Sequence, residues 1–137
     1  MVTDDVELSQ PGRVQWLMHI MQAPQLGSNS FRYEGALAGI TGEFLFSSSG
    51  KPTLSVAVGY DDVDPVEIEG KAPHHRVVAS TPLATRHQFV TLLTPFRSDQ
   101  APHQRLLHFI DDQGFATHLY LIDEQNRSYC ITLPKDF

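Results

Sequence analysis

The sequence predicts an all-β fold, an antiparallel β-sandwich of about ten strands. Three observations carry that expectation. Apolar residues recur at every second position in short runs, the spacing that lines one face of a strand. Clusters of Gly, Pro, Ser, Asn and Asp separate those runs at short intervals. No segment sustains the roughly 3.6-residue period of an amphipathic helix.

The elements follow in order. Pro11-Gly12 is a turn signal, and Val14 to Ile20 then alternates large apolar with polar or mixed residues. Residues 13–23 also hold the helix formers Leu17, Met18 and Met21 without Gly or Pro, but the alternation favours a strand. Phe31 to Leu37 alternates more cleanly, with Phe31, Tyr33 and Gly35 on one face and Arg32, Glu34 and Ala36 on the other. Glu43 to Phe46 ends at the loop Ser47-Ser48-Ser49-Gly50-Lys51-Pro52. Leu54 to Tyr60 places apolar residues on even positions, and Val66 to Glu69 is a short alternating piece. Arg76 to Thr81 is rich in β-branched residues and stops at Pro82; Gln88 to Thr94 stops before Pro95, since proline donates nothing to a ladder. Leu106 to Ile110 and Phe115 to Ile122 flank the tight-turn candidate Asp111-Asp112-Gln113-Gly114. Ser128 to Leu133 closes the set. The longest irregular stretches are 22–30, 59–65 and 95–104. With no internal repeat, low-complexity tract or linker, residues 1–137 read as a single β-sandwich domain.

Composition bounds the function classes. A chain of 137 residues, 41% hydrophobic and 19% charged, can build one core without staples. Its single cysteine, Cys130, makes no internal disulfide and leaves the compartment open. Met1 to Gln10 is acidic and polar, unlike a signal peptide, and no run reaches the roughly 18 apolar residues of a membrane span. The net charge of −6 repels nucleic acid and anionic lipid, so neither is an expected partner. Charge is unevenly spread. Residues 61–69 hold Asp61, Asp62, Asp64, Glu67 and Glu69, whereas 71–105 hold Lys71, Arg76, Arg86, Arg97, Arg105 and four histidines against the lone acid Asp99. That stretch offers a polyanion a locally basic face; the plainer alternative is a solvated surface of mixed charge.

Residues 10–97 resemble a known family. Gln15-Trp16-Leu17-Met18-His19 resembles the tryptophan-leucine-leucine-histidine strand of heparinase II/III-like polysaccharide lyases, and Val2-Thr3-Asp4-Asp5-Val6-Glu7 is similar to the end of the extended, acidic segment before it. His74 to Pro82 followed by His87 to Pro95 resembles the family's C-terminal β region. In that family a helical toroid precedes a large antiparallel β-sandwich, and the resemblance implies β-elimination of acidic polysaccharide by the full enzyme. Elimination needs a base, an acid for the leaving oxygen, and neutralisation of the uronate carboxylate. The family draws these from the toroid and from earlier β strands that have no counterpart here, so no catalytic residue carries over. The expected function is a non-catalytic accessory domain that supports a catalytic toroid, on the same or a partner chain, or binds acidic polysaccharide weakly. One rival is an interaction module acting as a homo-oligomer. Another is a small enzyme using His and Tyr as acid–base groups.

The ligand-binding candidates are Arg76, Arg86, His74 and His75 for an acidic sugar and Trp16 as a stacking platform. A lone tryptophan on an alternating strand is more commonly a core residue. Adjacent histidines point to opposite strand faces, so His74-His75 with Asp61, Asp62 and Asp64 is a poor metal cluster; no metal or cofactor is expected. Asp61-Asp62-Val63-Asp64 lacks the glycine and distant glutamate of a calcium loop. A three-residue turn centred on Gln113 would set His108 opposite His118, a pair able to titrate together. Tyr33, Tyr60, Tyr120 and Tyr129 are strand residues whose usual role is half-buried packing. Cys130 in an apolar strand is expected to be an inert small hydrophobe.

Overall fold

The computed structural model describes residues 1–59, 69–70, 74–99, 107–113, 116–122 and 125–134. Every helix or strand among them is a strand. By contact the chain divides into two compact units, Met1–Ala101 and Pro102–Phe137.

The first unit holds β1 (Val2–Gly12), β2 (Gln15–Ile20), β3 (Gln25–Leu26), β4 (Ser30–Glu34), β5 (Ala38–Ser47), β6 (Thr53–Val58), β7 (His75–Ser80) and β8 (Ala84–Arg97). One antiparallel sheet runs β1-β8-β5-β4-β3 and a second runs β2-β7-β6. Their inner faces share one core of Ile20, Phe31, Phe44, Val77 and Ala79, with Trp16, Met18, Tyr33, Ile40, Leu54 and Leu93 against it. This is the β-sandwich that the period-two pattern predicts, each strand feeding alternate residues to the core. Gly42 stands opposite Phe31, and a Cβ there would run into the Phe31 ring. The glycine lets that ring lie across β5.

Two strands reach beyond what alternation and turn signals predict. The first ten residues, acidic and polar in sequence and similar from Val2 to Glu7 to an extended segment, fold as strand. They form most of β1, which pairs with β8 from Val2↔Thr91 to Glu7↔Arg86 and continues through Pro11-Gly12 after an irregularity. Asp4, Val6 and Leu8 are the half-buried alternate residues, and the two aspartates mask that rhythm in the sequence. β8 does not stop before Pro95: it runs on to Arg97, with Pro95 opposite Ile40. The β1 partner ends at Val2↔Thr91, so by Pro95 one side of β8 has no partner strand among the described residues, and a missing N–H costs nothing there. The piece Val66 to Glu69 lies, apart from Glu69, outside the described residues.

The second unit is a three-stranded meander, β9 (Leu107–Gln113), β10 (Ala116–Ile122) and β11 (Ser128–Pro134), with β10 in the middle. Thr117, Leu119 and Leu133 are buried. The β10–β11 loop contains Asn126 at φ 57°, a left-handed conformation that asparagine tolerates better than most residues.

Candidate functional site

Alternation dictates where each nominated residue goes. β7 turns Val77 and Ala79 into the core, so Arg76 points away from it. β8 turns Leu93 inward, which places Arg86 and Gln88 on the outer face of the other sheet. Arg76 and Arg86 therefore lie on opposite sides of the sandwich and share no binding face. This corrects the expectation that residues 71–105 present one basic surface.

The guanidinium groups are also engaged. Arg86 donates to Asp5 from Nε at 3.3 Å and from Nη2 at 2.9 Å, and Gln88 donates to the same carboxylate at 3.1 Å. The hydrogen bonds from Arg86 hold Asp5 below its ordinary value of 3.8; partial burial opposes them, and Gln88 and the Arg86 charge add to them. Arg97 donates twice to Asp99, at 3.1 and 3.2 Å. Arg76 is itself buried and stands opposite His19 on β2.

Trp16 belongs to the core. Its indole meets Phe44 edge-on at 5.2 Å and Phe31 at 6.1 Å, so it is not a sugar-stacking platform. His75 turns to the core side beside Ile20, and its Nδ1 finds no hydrogen-bond partner among the described residues. His74, immediately before β7, meets the exposed His19 ring edge-to-face at 6.4 Å. The histidine–arginine grouping that exists is thus His19, His74 and Arg76 on the outer side of the β2-β7-β6 sheet. In the sequence His19 stands out as part of an alternating strand and of the Gln15 to His19 run, not as a candidate ligand. Its partnership needed the β2–β7 register, which no local signal gives.

Among the described residues the most enclosed ionisable side chain is His87, with no solvent exposure. Its Nε2 lies 3.1 Å from the carbonyls of both Gly12 and Ala84, and its Nδ1 lies 3.0 Å from Ser49 Oγ. Carbonyls only accept, so Nε2 carries the proton and Nδ1 accepts from the serine hydroxyl. His87 fastens the end of β1, the start of β8 and the β5–β6 loop. Around Phe89, its neighbour but one, three buried oxygens find no partner among the described residues: Asp4 Oδ2, Ser47 Oγ and Thr91 Oγ1. Asp4 and Ser47 flank Phe89 from the two adjacent strands.

In the meander, Gln113 pairs with Ala116, so two residues separate the paired ends. That register sets His118 opposite Asp111 and His108 opposite Leu121, and the expected histidine pair does not form. On its other side His118 Nδ1 lies 3.1 Å from Thr132 Oγ1. Cys130 is exposed rather than a buried hydrophobe, because alternation on β11 puts it on the face of the exposed Thr132 and opposite that of the buried Leu133. Tyr33 packs on the first core and Tyr129 is 48% exposed.

Among the described residues no group of three or more His, Cys, Asp and Glu is placed to share a metal ion. Asp61, Asp62, Asp64, Tyr60, His103, Arg105 and Lys71 lie outside the described residues. No helix among those residues is long and apolar enough to cross a membrane. No protein-family model matches the chain, and no curated protein matches it.

Proposed function

We propose that this chain is a non-catalytic accessory β-sandwich domain of the heparinase II/III-like lyase type, which supports a catalytic domain by contact. The observation that carries the reading is a juxtaposition. Two of the segments that carry the family resemblance, Gln15 to His19 and His74 to Pro82, are far apart in sequence yet lie side by side as β2 and β7, paired from Gln15↔Ser80 to Ile20↔His75. The other two segments, Val2 to Glu7 and His87 to Pro95, fall in β1 and β8, which pair in the other sheet. The engagement of Arg86 by Asp5, whose carboxylate Gln88 also holds, and of His87 by three neighbours, favours structural support over polysaccharide chemistry.

The test is incubation of the purified chain with a panel of uronate-containing polysaccharides, read by the ultraviolet absorbance of unsaturated uronate. No turnover is expected. Steady turnover that tracks the purified protein overturns the proposal and returns the enzyme reading.

A further inference from the structure

Edge strands of a sheet invite pairing, and proteins blunt them with charge, proline or shortness. In the first unit β1 carries Asp4, Asp5, Glu7 and Pro11, and β3 has only two residues. β2 and the opposite edge β6 have none of these devices, and of the two only β2 exposes a large apolar side chain at mid-strand. Gln15–Ile20 is six residues long, without a carboxylate, ammonium, guanidinium or proline. No strand among the described residues pairs with its outer side, and its outward side chain Leu17 is 46% exposed.

The backbone of this edge has a defined polarity. Val14 O accepts from Thr81 N–H at 3.0 Å, and the same register continues through Trp16↔Ala79 and Met18↔Val77. Bonded and non-bonded pairs alternate in an antiparallel ladder. The even residues Trp16, Met18 and Ile20 thus exchange hydrogen bonds with β7, while Gln15, Leu17 and His19 aim N–H and C=O at the open edge.

We infer that β2 pairs antiparallel with β2 of a second copy of this chain, across a two-fold axis through Leu17. Parity narrows the registers, and the exposed Leu17 near the strand's centre picks this one among them. The core continues across the join only if inward residues meet inward residues, which requires odd opposite odd and even opposite even. With Leu17 on the axis, Leu17 faces its own counterpart, Gln15 faces the partner's His19, and Trp16 faces the partner's Met18. The odd pairs are those whose backbone groups already point outward, so all of them bond at once. The two exposed leucine side chains cover each other, and no like charges are opposed. The same pairing through β1 would set carboxylates against carboxylates.

The experiment is sedimentation velocity of the full chain over a range of micromolar concentrations. A reversible dimer is expected. Leu17→Lys and Leu17→Glu each place like charges on the axis and weaken the dimer on the order of tenfold or more, with a thermal melt unchanged at concentrations where the parent is itself monomeric, because the site is half exposed. Mixing the two variants restores a dimer, since lysine then meets glutamate. A chain that is monomeric at every concentration overturns the inference. So does a dimer indifferent to both substitutions, or a mixture that stays monomeric.

Discussion

His87 shows how a polar residue is made to serve a fold. It is buried because three partners satisfy its ring: two backbone carbonyls and one serine hydroxyl. Replacing it with leucine keeps much of the volume but strands both carbonyls in a dry site. His87→Leu is expected to lower stability by about 2–4 kcal/mol in urea unfolding, and a cost under about 1 kcal/mol would contradict this role. Thr91 is the opposite case. Its hydroxyl is buried without a partner among the described residues, so Thr91→Val removes an unsatisfied group at nearly constant shape. That variant should match or exceed the parent in thermal stability, by up to about 1 kcal/mol. The Asp5–Arg86 pair adds a pH signature. The folded Asp5 is held below its ordinary 3.8, so the pair stabilises above that value and the contribution fades as pH falls through the lowered folded value. Both groups are about one-third exposed, so the contribution is about 0.5–1 kcal/mol at most. Arg86→Ala should melt slightly below the parent at neutral pH, and the gap should close in acid. None of this was legible beforehand: sequence reading grouped His87 with a basic stretch and Arg86 with a binding face. Burial and cross-strand partners decide both, and neither is a local property.

At the scale of elements the period-two rhythm was a faithful guide wherever both faces obeyed it. β2, β7 and β11 lie within a residue of where alternation and turn residues put them, whereas β4 stops at Glu34, short of the expected Leu37. β1 escaped notice because Asp4 occupies an inward position, and charge there conceals the pattern. β8 outran its proline because its neighbour β1 had already ended. The hairpin register turned on loop length, and a two-residue separation moved His118 away from His108 and onto Asp111. The close contact of Gly42 with Phe31 belongs to this scale as well. Gly42→Ala should cost about 1–3 kcal/mol by overpacking, and combining it with Phe31→Leu should cost less than the sum of the two single changes. Strict additivity in that cycle would show that the glycine does not serve the ring.

For the whole molecule, the fold class was readable because a sandwich core is the sum of many short alternating strands, each visible on its own. Candidate site residues were not, because a site is defined by which strands become neighbours. Arg76 and Arg86 are ten positions apart, yet the turn at Pro82 sends them to the outer faces of different sheets. A titration with uronate polymers should therefore show no shared dependence on the two arginines: Arg76→Gln and Arg86→Gln combined should not act cooperatively on any salt-sensitive binding. The central claim is that the chain works by supporting a catalytic domain. Its most direct test is co-expression with the helical toroid of a heparinase II/III-like lyase that lacks its own β-sandwich. The account predicts a stoichiometric complex whose release of unsaturated uronate exceeds that of the toroid alone. A toroid that neither binds the chain nor gains activity from it would contradict the account.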